Sequence, residues 1–493
     1  MYRSSFAFAL AMAALAAILL PSSLLAQITF QRTYGGSDDD LGRAVQQTFD
    51  GGYVLAGLTY SYESSSWDVY LVKTDPSGET VWTRTYGGSG HEWGNSVVQT
   101  ADSGYVVAGY TESFGSGGWD VYLVKTDVNG DTQWTRTHGG ADDDVGWSVE
   151  RTADDGYIIT GETQSPGEIY DNVYLIKTDV AGDTLWTRTY GGANQDYGYS
   201  VTRTSDGGYA VCGGTYSYGA GNGDVYAFRT WSKGLVRWTR TFGGTDEDFG
   251  TSIQQTSDSG FIICGCTGSY GAGETDVYLV RTGPDGDTMW TRTLGGVDFD
   301  TGYAVRQTAD GGFIVAGTTG PHGNGYPDVL LVKTDATGNV SWSRTFGGPA
   351  YDWGCSIATT ADGGYAIAGT TDCFGSGGRD IYLIKTDSLG NVAVEEPKAS
   401  PVRAAGPSLT CEPNPFAGTT TIRLTPFASR PSPLAIRIYD AQGCRVRTLT
   451  ANRTPCTVWD GTDELGYALP SGAYFVRLDA AGQHATARLV LQR

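Results

Sequence analysis

The chain has 493 residues, with 54 acidic and 33 basic side chains, a net charge of −21 and 72 glycines. So acidic a balance argues against nucleic acid or anionic lipid as a partner, since both would be repelled. The charge is unevenly spread. The part from Lys398 onward carries about +5 and the remainder about −26, so two bodies of opposite sign are joined end to end.

Residues 1–26 read as a signal peptide. Arg3 gives a positive start, Phe6 to Leu20 is apolar, and small and polar residues lead to Leu24-Leu25-Ala26 as a cleavage site. The apolar run is too short and wrongly flanked for a membrane span, and nothing later is apolar enough to be one. Export is therefore expected, to the cell surface or the medium.

Residues 27–393 hold seven copies of a 52-residue unit in unbroken register, marked by Gly35, Gly87, Gly139, Gly191, Gly243, Gly295 and Gly347. A fixed period near 50 is the signature of a repeat architecture. In the second copy four stretches have strand composition: Asn95 to Thr100, Tyr105 to Thr111, Asp120 to Asp127 and Thr132 to Thr137. The turns Ala101-Asp102-Ser103-Gly104 and Asp127-Val128-Asn129-Gly130 are hairpin chemistry, with glycine where a positive φ is expected. Four-stranded antiparallel meanders in a ring make an all-β, seven-bladed propeller, which removes most sheet edges. Gln27 to Thr33 reads as the fourth strand of a copy, with Phe30 at the Trp position. The seventh copy has only its first three strands, so the N-terminal strand is expected to close the ring. A monomer is the expected state.

The third and fourth strands carry a resemblance. Tyr122-Leu123-Val124-Lys125-Thr126-Asp127, then Gly130, then Trp134 recurs with Trp82, Trp186, Trp238, Trp290 and Trp342. This resembles the tryptophan-docking units of PQQ-type (quinoprotein-like) propellers, which implies their fold. The adjacent cysteines of quinone-binding members are absent, because Gly265 separates Cys264 from Cys266. The resemblance therefore carries no cofactor.

Residues present in every copy are expected to be scaffold. One set is Arg32, Arg84, Arg136, Arg188, Arg240, Arg292 and Arg344; another is Asp40, Glu92, Asp144, Asp196, Asp248, Asp300 and Asp352; Lys or Arg forms a third, from Lys73 to Lys385. Ion pairs and turn caps between neighbouring blades are the expectation. The acidic entry loops would also suit calcium, through Asp38, Asp40, Asp142, Asp144, Asp246 and Asp248. No ordered EF-hand series accompanies them, and no other cofactor is expected.

Residues that break the repeat are better site candidates. Trp93, Trp147, Tyr197, Tyr199, Tyr303 and Trp353 crowd the start of the innermost strands, with Trp67 and Trp119 on the second loop of the same face. Tyr62, Phe114, Tyr218, Tyr270 and Phe374 also run along that loop. Exposed aromatics beside carboxylates suit a sugar ring or a peptide; otherwise they pack loops together. The four histidines form no metal-spaced cluster, no zincin or serine-nucleophile motif exists, and no carboxylate pair stands out. The reading is a non-enzymatic module that binds a glycan, peptide or surface protein. The alternatives are a secreted polysaccharide hydrolase or lyase, and a structural surface or adhesion element.

After a Pro- and Ala-rich linker at 394–408, residues 409–493 read as a small Ig-like sandwich. Its strands are Thr420 to Leu424, Ala435 to Tyr439, Val446 to Leu449, Ala473 to Leu478 and Ala485 to Leu491. Cys411, Cys444 and Cys456 leave room for one disulfide. Pro413-Asn414-Pro415-Phe416, Ile438-Tyr439-Asp440 with Gly443, Trp459-Asp460-Gly461 and Ser471-Gly472-Ala473-Tyr474-Phe475 resemble two related families. These are the C-terminal sorting domain of type IX secretion substrates and the Ig-like module of flagellar hook-capping proteins. The sorting resemblance implies an outer-membrane export machinery as partner.

Overall fold

The structure is a computed structural model. It describes residues 28–62, 66–165, 167, 169–320, 326–392, 408–425, 434–441, 444–451, 456–480 and 483–493. The signal peptide read at 1–26 and nearly all of the linker lie outside these residues. The chain divides at Val394–Glu395 into two compact units. Among the described residues every regular element is a strand, and none is a helix able to cross a membrane.

In the first unit, seven four-stranded antiparallel sheets follow one another. Blade 2 is typical, with strands Glu92–Gln99, Tyr105–Thr111, Asp120–Thr126 and Thr132–His138. Its first strand begins three residues before the sequence suggests. Glu92 looks like loop chemistry, yet it is fully buried and heads the strand. The second and third strands read as unbroken apolar runs because sheets lie on both their faces. Val54, Ala56, Val69 and Leu71 of blade 1, for example, pack on Val97, Tyr105, Val107 and Val124 of blade 2.

The turn expectation needs one correction. In Ala101-Asp102-Ser103-Gly104 the positive φ (65°) falls on Ser103, not on the glycine. Gly104 is required for another reason: a Cβ there would meet the Thr126 carbonyl oxygen at 2.1 Å. In Asp127-Val128-Asn129-Gly130 the glycine does take the positive φ, at 81°.

The last blade is completed by the first strand. Phe30–Tyr34 pairs antiparallel with Asp380–Thr386, placing Phe30 opposite Lys385. On the inside, the Val45 N–H donates to Ser356 Oγ (3.2 Å), as the Val149 N–H does to Ser96 Oγ (3.3 Å) between blades 2 and 3. The seam joining the ring is therefore built like its other seams.

Those seams use the repeated residues differently from the expectation. Each fourth-strand Trp packs on the glycine of the next blade's last turn, as Trp82 does on Gly130, and Phe30 does the same on Gly78. The arginine two residues on lies over the same ring, 5.3–5.9 Å from its centroid in all seven copies. An ion pair to the next blade is added where an acid stands there, as in Arg136–Asp183 at 2.8 Å. The buried third-strand cations pair inside their own blade instead, as in Lys125–Asp102 at 2.9 Å, and the Lys125 ammonium also donates to the Thr126 carbonyl. The entry acids hold no cation: Asp40 accepts from the Gly36 N–H at 2.7 Å and Asp144 from the Gly140 N–H at 2.7 Å. They are turn caps. Gly35 lies between Asp40 and Asp380, where a Cβ would be 2.1 Å from the second carboxylate.

The second unit is a two-sheet sandwich. Ser408–Glu412, Thr420–Thr425 and Cys456–Trp459 form one sheet; Arg445–Ala451, Leu434–Tyr439, Gly472–Ala480 and Gln483–Leu491 form the other. The first and third strands of the smaller sheet are absent from the sequence reading. Trp459 fills the core with Phe416, Ile436, Tyr474 and Leu489, and its indole N–H donates to the Thr462 carbonyl at 3.0 Å. Asn414 ties the Pro-Asn-Pro-Phe segment to the last strand, accepting from the Val490 N–H (2.8 Å) and donating to the Arg488 carbonyl (2.7 Å). Cys411 and Cys444 are unpaired; the Cys456 side chain lies outside the described residues.

Candidate binding site at the channel mouth

Each innermost strand carries a β-bulge directly after its invariant glycine, as between Gly42 and Ala44. A bulge re-aims the extra side chain. The seven bulged residues are Arg43, Asn95, Trp147, Tyr199, Thr251, Tyr303 and Cys355, and all seven line the central channel. Their backbone position is identical while their chemistry changes from blade to blade.

Above them the channel opens into a cavity of about 650 Å³, walled further by Leu41, Phe249, Cys266, Thr301, Trp353, Thr370 and Arg379. Trp147, Tyr199, Tyr303 and Trp353 of the sequence candidates thus meet in one cavity. Trp93 and Tyr197 lie behind it: Trp93 is stacked on Tyr110 (4.6 Å, 14°) and Tyr197 on Tyr199 (5.7 Å, 11°). Ring contacts join them into an arc over blades 2 to 5, from Trp119 through Tyr110, Trp147 and Tyr199 to Tyr197, Tyr216 and Phe249. Trp119 sits at the outer end, its indole N–H donating to Glu112 (2.7 Å). Trp67 packs on Tyr60 (5.5 Å), away from the cavity wall. Tyr62, Phe114, Tyr218, Tyr270 and Phe374 pack on their own blades' third-strand aromatics and anchor loops.

Charged residues missed in the sequence complete the site. Arg43 and Arg379 line the cavity, and no carboxylate does. Arg379 lies over the Trp353 ring at 5.3 Å, its Nε donating to Asp372 at 3.1 Å. Deeper in the channel are Glu150 and Arg306. Glu150 accepts from the Arg203 N–H at 2.9 Å; burial raises its pKa against the pull of Arg306 and Arg203. Glu162 stands behind the arc, where other copies have Leu58, Tyr110, Gly214, Cys266, Thr318 and Thr370. Burial pushes its carboxyl up to about 7, opposed by the Trp147 N–H and reinforced by Asp171. Burial also pushes the Cys266 thiol up to about 11 and Tyr303 up to about 12, so both are neutral at pH 7. A signal for the charges is present in the sequence: Arg43 breaks the repeat as plainly as Trp147 does.

Of the acids weighed for calcium, Asp40, Asp144 and Asp248 are the buried caps, while Asp38 and Asp246 are exposed on the loops. Asp142 accepts from the Gly167 N–H at 3.1 Å. Among the described residues no three His, Cys, Asp or Glu converge on a metal position.

Residues 413–492 match the secretion system C-terminal sorting domain family. The tail marks this chain as cargo for type IX secretion. Of the two resemblances read in the module, sorting is the one matched. The "Regulatory protein FlaEY" of Caulobacter vibrioides is 26% identical over 239 residues, 43% of this chain and 25% of that protein. The chain thus spans about a quarter of that relative's length. Among solved structures, PorZ, described as an essential bacterial surface component of the type-IX secretion system of Porphyromonas gingivalis, is 12% identical with a TM-score of 0.40, covering 93% of this chain and 60% of that one. A fungal alcohol oxidase of the AA5 family is 13% identical with a TM-score of 0.44, covering 94% and 99%. Likenesses this distant say nothing of what this chain binds.

Proposed function

We propose that this exported propeller is a binding module whose ligand seats at the channel mouth. The observation that supports it most is the bulged ring: one backbone position carries Arg43, Asn95, Trp147, Tyr199, Thr251, Tyr303 and Cys355, all facing one cavity. Residues that serve only to hold blades together repeat with the blades, as the Trp and Arg seams do. Side chains that do not repeat with the blades, clustered around a concave, aromatic and partly polar space, have the make-up of a ligand site. The cavity thiol and phenol are protonated at neutral pH, which suits holding a ligand better than attacking one.

The test is a screen of the full-length protein against glycans and peptides, repeated with Tyr303→Ala and Trp353→Ala. Both variants should melt within about 0.5 kcal/mol of the parent and lose the hits. Hits that survive both substitutions would move the site elsewhere.

The hydrolase reading has one candidate acid. Glu162 is an off-beat carboxyl whose pKa of about 7 would suit a general acid, but it stands behind the arc and does not line the cavity. Reducing-end assays on any polysaccharide hit, with Glu162→Gln alongside, decide it: turnover abolished by the substitution would establish catalysis.

A further inference from the structure

The propeller is strongly acidic, yet its channel is not. The charged residues lining the mouth and the channel below it are Arg43, Arg379, Arg306 and Glu150, three cations to one anion. The anion is already engaged by the Arg203 N–H and the Thr202 hydroxyl (3.3 Å). Arg43 projects from its bulge, is exposed, lies against the Cys355 thiol, and forms no ion pair among the described residues. Arg379 gives only its Nε to Asp372, which leaves the terminal nitrogens of its guanidinium for another acceptor.

Neither arginine belongs to the repeat. Positions equivalent to Arg379 hold Trp67, Trp119, Asp171, Gly223, Thr275 and Pro327. The two come from the last and first blades, on either side of the closing seam. Around them stand flat rings, Trp353 and Tyr303, and the Thr301 hydroxyl; the Thr251 hydroxyl donates to the Gly302 carbonyl (2.6 Å) and the Thr370 hydroxyl accepts from the Gly42 N–H (3.1 Å). A guanidinium presents parallel N–H donors matched to a planar or tetrahedral oxyanion. Aromatic faces match the apolar faces of a sugar ring, and short hydroxyls match its hydroxyl groups.

We propose that the mouth takes an acidic saccharide, a sugar ring bearing a carboxylate or sulfate group. The ring stacks on Tyr303, because Trp353 is already stacked on Tyr351 (5.3 Å, 12°) and lies under Arg379, and the oxyanion is held by Arg43 and Arg379. This rests on the mouth being the binding site. The acidic exterior repels such a polymer everywhere else, so recognition is confined to the channel axis.

The test uses the full-length protein on an array printed with uronic-acid, sulfated and neutral oligosaccharides and with peptides, followed by titration of the best probe. Uronic-acid and sulfated arms distinguish the two oxyanions. Hits should be confined to acidic glycans. Arg43→Gln or Arg379→Gln should weaken the best probe by about 10- to 100-fold with an unchanged melting temperature. Methyl esterification or desulfation of the probe should do the same. Arg136→Gln, on an outer strand, is the control that leaves binding intact. Neutral-glycan or peptide hits that Arg43→Gln leaves unchanged, but Tyr303→Ala removes, would overturn the acidic ligand and keep the site. An array with no hits at all would overturn both.

Discussion

The seams between blades and the mouth of the channel are built from the same seven copies, and they have used them in opposite ways. At the seams the copies agree: a ring on a glycine and an arginine over the ring. At the mouth they disagree at one position after another. Both regions are built from the same blades, the seams from fourth strands and the mouth from first strands, so the difference is one of duty. A seam residue must satisfy the same neighbour seven times, whereas a bulged residue meets the next blade differently in each copy, as Asn95 does through the Gly146 carbonyl (2.9 Å) and Trp147 through the Tyr199 ring (5.8 Å). Agreement therefore measures what the ring needs, and disagreement what it is free to spend on something else.

Perturbing the two regions should separate stability from binding. The largest effect is expected from removing the strand Phe30–Tyr34, which leaves the third strand of the last blade unpaired and Gly78 without its ring. Cooperative thermal unfolding should disappear; a melting transition like the parent's would show that the clasp is dispensable. Next comes Trp238→Ala. Trp238 is the most buried docking tryptophan, at 7% exposure, and its loss should cost about 3–5 kcal/mol in denaturant unfolding. Ligand affinity at the mouth should not change.

Asp102→Asn should cost about 2 kcal/mol, because the Lys125 ammonium stays buried with its counter-ion gone. The figure is kept below that for a fully buried pair because the Asp102 side chain is 53% exposed. In the parent, hydrogen bonds from Thr100 and Lys125 outweigh burial and hold Asp102 at about 2. The stability this provides is present above the ordinary value of 3.8 and is lost as pH falls through 2. The asparagine variant should therefore approach the parent in strong acid, as acid melts would show.

Glu162→Gln should act with the opposite sign. A carboxyl raised from 4.5 to about 7 favours the fold while protonated, an advantage complete below pH 4.5 and lost as pH rises through 7. The glutamine variant should match the parent at pH 4 and exceed it by about 3 kcal/mol at pH 8. A variant less stable at pH 8 would mean that the carboxylate holds the aromatic arc together.

These contrasts also explain what could be read from the residues in order. Strand positions were legible because an aspartate two residues before a glycine, as at Asp102 and Gly104, and a second turn glycine, as at Gly130, punctuate every copy at constant spacing. The partners of Lys125 and Arg136 were not, because spacing along the chain does not say whether a charge meets its own blade or the next. Glu92 was misplaced in a loop since an acid at a strand head is buried only when turn N–H groups close over it. At the mouth, Trp147, Tyr199, Tyr303 and Trp353 were found because they interrupt a pattern. Arg43 interrupts it too, but a lone arginine in an acidic chain reads as a solvated charge until the fold puts it on the channel axis. Glu162 lies in a second strand whose neighbours are apolar. Its meaning depends on Trp147 and on Asp171, which come from different parts of the repeat.

The clasp has a consequence for the order in which the ring assembles. Every other blade pairs strands made within one 52-residue copy, but Phe30–Tyr34 must wait for Asp380–Thr386, some 350 residues later. Because the entropy of closing a loop grows only with the logarithm of its length, this wait costs about 2 kcal/mol more than closing a single copy. The price is paid in time instead. Six sheets can form as the chain emerges, but none can be locked into a circle until the seventh arrives. The sorting domain follows within about thirty residues of that point. Whatever carries this chain across a membrane by its tail therefore meets a ring that has just become able to shut.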